Sequence, residues 1–256
     1  MISILILTYE QPTALELCLE SIVKNQYHKN QILIVENGYC EANKPIFEKY
    51  KEYIEVLPFE ENVGMNRALN LGVCNVKYEL VFIGHDDMVY PKHFDLKMLH
   101  QYRPGMVLTV NSIEPYPSFF QQFTIKDLGR DPKTFDIEHF NTYESSVAVS
   151  KLDDAGSTFP FLLSKIDYLR VGGFDEMYPL NGVVADWDFF LKCQLSGLKM
   201  LRTYKTNVYH FVSLSTNTTE KQKQQRYQSE VEGYTYAQYK WGTNIKHNPL
   251  NNLKYL

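Results

Sequence analysis

The sequence predicts an α/β fold: a mostly parallel central sheet flanked by helices, followed by a C-terminal helical extension. Three observations predict it. In about the first hundred residues, short β-branched apolar runs alternate with segments of helical periodicity, the order of βαβ units. Three polar clusters, Thr8-Tyr9-Glu10, Glu36-Asn37 and His85-Asp86-Asp87, fall just after three of those runs, where open parallel sheets collect their ligands. Helical periodicity then returns near the C-terminus in a strongly polar segment.

In chain order, Ile2 to Leu7 is an apolar run of the kind buried in a parallel sheet. Pro12 suits the first turn of a helix, and Leu15, Cys18, Leu19 and Ile22 fall on one face of it, which makes Cys18 a core residue. Ile32 to Val35 is a second strand, ended by the turn pair Asn37-Gly38, and Ile54 to Leu57 is a third. A helix follows Asn62-Val63-Gly64 with Met65, Ala68, Leu69 and Gly72 on one face. Tyr78 to Ile83 is the fourth strand and runs directly into Gly84-His85-Asp86-Asp87. Pro91 is expected in the first turn of the next helix, which sets Asp86 and Asp87 too early to cap it. Tyr116 to Ser157 is irregular and reads as connecting structure. Phe159 to Leu163 resumes an apolar strand. Val184 to Ser196 is a helix with Trp187, Phe190, Leu191 and Leu195 on one face, stopped by Gly197. Two short strands follow, around Met200-Leu201 and Val208-His210. Thr219 to Lys240 is a polar helix whose Tyr227, Val231 and Tyr234 are spaced to dock on the body. No internal repeat appears, so one continuous domain with an extension is expected.

A chain of 256 residues, 44% hydrophobic and 22% charged, can bury a full core. Its net charge of −4 argues against a sequence-independent grip on nucleic acid. Aromatics reach 14%, with 19 Tyr, a residue that often lines sites for sugars or bases. The four cysteines lie far apart without metal-type spacing and fit a reducing compartment. No leader and no run of ~18 apolar residues is seen, so a soluble, cytoplasmic protein is expected. The Asn217-Thr218-Thr219 sequon is then a chance match, and the Tyr- and Lys-rich tail leaves room for peripheral contact with a membrane surface.

Six segments carry a resemblance. They are Ile4-Leu5-Ile6-Leu7-Thr8-Tyr9; Ile34-Val35-Glu36-Asn37-Gly38; Asn62-Val63-Gly64 with Ala68 and Asn70-Leu71-Gly72; His85-Asp86-Asp87; Gly172-Gly173-Phe174-Asp175-Glu176; and Ala185-Asp186-Trp187-Asp188 with Gly197. In this order and spacing the chain, over roughly residues 1 to 216, resembles the inverting family-2 glycosyltransferases. That resemblance implies a GT-A type fold with a Rossmann-like sheet. It implies a nucleotide-sugar half at 1–111, an acceptor and catalytic half at 112–216, and a helical extension at 217–256. Three positions depart from the family pattern: Glu36 stands for its usual Asp, His85 for the first Asp of its D-x-D, and Ala185 for a Glu.

The resemblance further implies a divalent-metal-dependent glycosyltransferase that uses a nucleotide-diphospho-sugar, a UDP-sugar for preference, and a glycan or other hydroxyl acceptor. A leaving diphosphate needs its charge neutralised, and a hard cation does this with oxygen ligands, several supplied by the diphosphate itself. Asp87 matches the family's direct ligand for Mn2+ or Mg2+, and Asp86 is expected at the ribose or at the metal's outer shell. His210, after Thr206 to Tyr209 and before the Ser213 to Thr216 loop, is the second candidate metal ligand; a structural His is the alternative. Asp186 is the candidate general base for inversion, with Asp188 as fallback, although an Asp at a helix start also serves as a cap. Thr8, Tyr9 and Glu10 are expected to border the nucleobase, with Tyr9 free to stack. Glu36 is expected to accept a base N–H or to solvate its turn. Asn62 is a further substrate-binding candidate, and Arg67 is placed on the diphosphate side or left as a surface charge.

Rival chemistries fit less well. Nucleotidyltransferases and dinucleotide oxidoreductases need glycines after the first strand, where Thr8-Tyr9-Glu10-Gln11-Pro12 has none. Glycosidases space their carboxylates across a sugar ring. The remaining alternative is a catalytically degenerate module that binds nucleotide-sugar or glycan, suggested by His85 and Ala185.

Overall fold

The computed structural model describes residues 1–117, 123–154, 158–212, 220–242 and 245. The Ser213 to Thr216 loop and the Asn217 sequon lie outside them.

The first units form as the periodicity predicts. Ser3–Thr8 (β1) leads to Pro12–Asn25 (α1), with Pro at its start, and then to Gln31–Asn37 (β2). Lys44–Tyr50 (α2), Ile54–Phe59 (β3) and Met65–Cys74 (α3) follow. Leu80–His85 (β4) and Met88–Val89 (β5) bracket the Asp86-Asp87 turn. The next helix, Phe94–Gln101 (α4), starts three residues later than expected. Pro91 precedes a turn, and His93 at the N-cap takes a left-handed backbone with φ 58°. Met106–Glu114 (β6), buried along its whole length, is a strand the sequence pattern did not reveal.

The stretch expected to be connecting structure holds defined elements. These are Thr124–Ile125 (β7), a 3-10 turn at Pro132–Thr134, Ile137–Val147 (α5) and Leu152–Asp153 (β8). Asp136 caps α5, its Oδ1 accepting from the Glu138 and His139 amides at 2.9 and 3.0 Å. Phe161–Ser164 (β9), Lys165–Arg170 (α6) and Ala185–Leu195 (α7) complete the middle of the chain. The two short strands expected near residues 200 and 208 are one strand, Lys199–His210 (β10). The last helix is Glu220–Trp241 (α8).

All ten described strands belong to one sheet, with main order β3-β2-β1-β4-β9-β6-β10-β5. The β1–β2, β2–β3 and β1–β4 pairs are parallel, β9 runs antiparallel to both its neighbours, and β10 is parallel to β6 but antiparallel to β5. Alternation along the strands supplies both faces. Leu5, Leu33, Val35 and Ile83 pack in one cluster with α3 and α7 residues such as Leu69, Phe189 and Phe190. Ile4, Ile6, Ile32, Ile34 and Phe82 pack in the other with Leu15, Cys18 and Ile22 of α1 and Phe94 and Met98 of α4.

The expected face of α7 is corrected. Ala185, Asp188, Phe189, Phe190, Leu191 and Cys193 are buried, whereas Leu195 is exposed and Trp187 half-buried. The helix is enclosed on most sides, so it has no single apolar stripe. On α8, Tyr234 docks as expected, together with Gly233, Tyr236, Ala237 and Trp241, whereas Tyr227 and Val231 are exposed. No helix among the described residues is long and apolar enough to cross a membrane.

Candidate active site

Parallel ladders set the first part of the site. Thr8 pairs with Glu36 and Leu7 with His85, so the ends of β1, β2 and β4 lie level at the carboxyl edge of the sheet. The turn after β4 presents Asp86 and Asp87. Strand β10 then delivers His210, because its antiparallel pairing with β5 places His210 opposite Met88, next to Asp87 in sequence. His210 Nε2 lies 3.4 Å from Asp87 Oδ2, and the Phe211 amide donates to the Asp87 carbonyl at 3.1 Å.

Sequence reasoning missed Glu114. It ends β6 one step beyond the Ile113–Tyr209 pair, and its Oε1 lies 3.1 Å from His210 Nδ1. With one ring nitrogen engaged by Glu114, the other is aimed at Asp87. The only hint in the sequence was an acidic residue closing an apolar run.

Burial shapes the charges here. Asp86 is pushed up to about 8, first by burial and then by the charge of Asp87, against which the Thr8 hydroxyl and backbone N–H groups pull it down. Burial also works against ionisation of Asp87, but His210 beside it holds its carboxyl below the usual range. Burial disfavours the charged ring of His210 as well, yet Asp87 and Glu114 outweigh this and raise it to about 10. Burial lowers His85.

Several buried polar atoms have no hydrogen-bond partner among the described residues: Asp86 Oδ2, Asp87 Oδ1, His85 Nε2 and Glu114 Oε2. Orphaned carboxylate oxygens beside a raised carboxyl call for a cation. Two hard oxygens and the His210 imidazole, once a metal displaces its proton, suit Mn2+ and, through the oxygens, Mg2+. Among the described residues no three His, Cys, Asp or Glu side chains form a ready-made cage. A cation held here therefore needs further oxygens from its ligand, so the donor set fits a metal that arrives with a diphosphate.

The remaining candidates divide. Tyr9 is partly exposed and lies against Gly38, whose added Cβ would stand 3.3 Å from Tyr9 Cε2 and from the Asn62 amide. Glu10 is exposed with φ 52° and does not cap α1, whose N-cap is Gln11 without a side-chain bond. Glu36 does not solvate its turn. It is buried, and its Oε1 accepts from Asn43 Nδ2 at 2.8 Å and the Cys40 amide at 3.3 Å. Asn62 shapes the loop before α3, its Oδ1 accepting from Asn37 Nδ2 at 3.0 Å and the Gly64 amide at 2.9 Å. Arg67 is exposed on α3.

Asp186 heads α7 and is half-buried, its Oδ1 accepting from the Trp187 amide at 2.9 Å. Burial raises its carboxyl to about 6. An aromatic row links helix α7 to His85: the Phe159 ring centroid lies 4.2 Å from that of His85 and 6.0 Å from that of Phe174, which stacks on Phe189 of α7 at 4.5 Å. Asp188 is ruled out as an alternative base. It is fully buried, and its Oδ1 accepts from Tyr178 Oη and Trp241 Nε1. Asn70 explains two motifs at once: its Oδ1 accepts from the Phe174 amide and Tyr168 Oη, and its Nδ2 donates to the Phe174 carbonyl. Gly173 is required there, since a Cβ would lie 2.4 Å from Asn70 Oδ1 and φ is 58°.

The family model described as glycosyl transferase family 2 matches residues 3–146. The chain belongs to that family. Among curated relatives, it is 29% identical over 116 residues to the amylovoran biosynthesis glycosyltransferase AmsE of Erwinia amylovora, covering 43% of this chain and 44% of that protein. It is 23% identical over 193 residues to the UDP-Gal:alpha-D-GlcNAc-diphosphoundecaprenol beta-1,3-galactosyltransferase of Escherichia coli, covering 73% of this chain and 65% of that one. The match thus spans less than two thirds of either relative. The GT-A fold is shared with solved structures. A mannosyltransferase from Pyrobaculum calidifontis in complex with GDP-Man and Mn2+ superposes with a TM-score of 0.62 at 15% identity, covering 99% of this chain and 69% of that one. GalNAc-T7 with UDP, GalNAc and Mn2+ gives 0.61 at 12% identity, covering 82% of this chain and 43% of that one.

Proposed function

We propose that this family-2 glycosyltransferase moves a sugar from a nucleoside-diphosphate donor, a UDP-sugar for preference, to a hydroxyl of a glycan or similar acceptor, with inversion. The observation that carries this reading is the acidic turn at Asp86 and Asp87, with orphaned oxygens and His210 beside it, level with the Thr8 and Glu36 strand ends. Mn2+ or Mg2+ would be held by Asp87 and His210 and would neutralise the charge that builds on the departing diphosphate. Relatives in complex with UDP or GDP-Man and with Mn2+ support both groups as ligands.

In this reading Asp86 faces the ribose or the outer shell of the cation. Tyr9 offers its ring to the nucleobase, bordered by Thr8 and Glu10. Glu36 holds the loop beside that site, and Asn62 shapes the turn opposite Tyr9. Arg67 belongs to the diphosphate side. Asp186 takes the proton from the acceptor hydroxyl as its oxygen attacks the anomeric carbon. The bond from that carbon to the diphosphate breaks on the opposite face. A carboxyl raised to about 6 is a stronger base than an ordinary aspartate and is still ionised at neutral pH. Residues 1–111 then serve the donor, 112–216 the acceptor, and 217–256 form the extension. Four free cysteines support a reducing, cytoplasmic setting.

The test is donor turnover to water, with and without Mn2+, preceded by a thermal-shift screen of nucleotide-sugars. A Mn2+-dependent rise in melting temperature with one nucleotide-sugar, and release of its sugar, is expected. Binding without release in any acceptor mixture would instead mark a degenerate binding module.

A further inference from the structure

Two motif carboxylates, Asp175 and Asp188, take no part in the chemistry above. Both bind α8 instead. Lys240 Nζ lies 2.6 Å from Asp175 Oδ2 and 2.7 Å from Asp188 Oδ1. Tyr236 Oη donates to Asp175 Oδ2 at 3.0 Å, and Trp241 Nε1 donates to Asp188 Oδ1 at 2.8 Å. One lysine therefore ties the turn after Phe174 to the body of α7. Higher on the same helix, buried Gly233 lies against the residues that lead into α7. A Cβ there would stand 2.8 Å from the Val183 carbonyl and 3.1 Å from a Val184 methyl carbon. Val184 has φ 72°, a left-handed backbone that a β-branched residue keeps only when its surroundings over-determine it. It stands two residues before Asp186, whose side chain accepts from the amide of its own neighbour, Trp187.

We propose that α8 is a positioning clamp for Asp186, with Gly233 and Lys240 as its working contacts, so that the C-terminal helix governs the transfer step and not donor binding. The proposal rests on the reading of Asp186 as the base.

The test compares Gly233→Val, Gly233→Ala, Lys240→Met and Lys240→Arg in the full chain. It reads kcat and KM separately, Mn2+-dependent nucleoside-diphosphate affinity, melting temperature, and amide exchange at 183–187. Gly233→Val is expected to lower kcat about a hundredfold, to leave nucleotide affinity within about twofold, and to speed exchange at Ala185 to Trp187. Gly233→Ala should fall between it and the wild type, and it decides the matter if Gly233→Val does not fold. Lys240→Met should also lower kcat, and Lys240→Arg should restore part of it because a guanidinium can reach both carboxylates. A lowered melting temperature with kcat unchanged at a permissive temperature would overturn the clamp. If the wild type turns over no nucleotide-sugar, the transferase reading fails by itself. Exchange then decides: unchanged protection at 185–187 in Gly233→Val overturns the clamp, and faster exchange sustains it.

Discussion

At the sheet edge, Thr8 faces Glu36 and Leu7 faces His85 across parallel ladders, so backbone register places the side chains. At the shoulder formed by α7 and α8, side chains place one another: Lys240 reaches Asp175 across 65 positions of sequence and Trp241 reaches Asp188 across 53. At the edge, Asp86 Oδ2 and Asp87 Oδ1 have no hydrogen-bond partner among the described residues, whereas Glu36 commits its Oε1 to Asn43 and the Cys40 amide. Acidic residues at the shoulder are divided between chemistry and architecture.

Substitutions can break or sharpen this contrast. The largest effect is expected at Asp186, the shoulder carboxylate proposed as the base. Asp186→Asn should lower kcat by ~10²–10⁴-fold with little change in urea midpoint. The wild type should lose activity as pH falls through about 6, where the raised carboxyl is protonated. That limb should be absent from the residual activity of the variant. Next comes Asp188→Ala, which takes the acceptor from Trp241 Nε1 and Tyr178 Oη and leaves Lys240 with Asp175 alone beside a void. It should cost roughly 3–5 kcal/mol in chemical denaturation, and a cost under about 1 kcal/mol would erase the contrast. Asp87→Ala should weaken Mn2+ binding by at least the ~10–100-fold that outer-shell losses cost, read by manganese electron paramagnetic resonance.

The smallest effect lies in the edge half, away from the site. Asp95, fully buried, accepts from the Tyr27 and His28 amides at 2.8 and 2.9 Å and from Asn30 Nδ2 at 2.7 Å. Burial opposes its ionisation, but these donors prevail and hold its carboxyl below the ordinary value. A depressed pKa contributes stability above the unfolded value of ~3.9 that is lost as pH falls through the folded one. Asp95→Asn should cost about 1–2 kcal/mol at neutral pH and flatten the acid side of the stability profile, with activity unchanged.

The same contrast explains what the sequence revealed. Buried parallel strands write themselves as continuous apolar runs, and α1 and α3 show their inner faces by spacing, so that half and its acidic turn were readable. Strand β6 was not, because its buried Thr109, Asn111 and Ser112 look like loop residues until Asn207, 96 positions on, accepts from the Asn111 side-chain amide. Helix α7 misled because nearly every side is covered. Asp136 did advertise the start of α5, and only the polar composition around it argued for a loop. Of the cluster at the sheet edge, Asp87 and His210 were candidates by motif and position, and they lie 3.4 Å apart. Glu114 and Lys240 were missed because nothing local distinguishes a residue whose partner arrives from a distant strand or helix.

The pairing of β10 with β6 slips between Thr203 and Asn207, where the Asn207 amide donates to the buried carboxylate of Glu144 at 3.0 Å. Side chains on a strand alternate in direction, so the length of this slip fixes which of three successive rings, Tyr209, His210 or Phe211, turns toward Asp87. Deleting or inserting one residue at 204–206 would bring a phenol or a phenyl beside Asp87 and send the imidazole into the aromatic cluster with Phe135. The irregularity thus works as a counting device: a point mutation there is a matter of stability, and a change of length is a matter of which chemistry the strand presents.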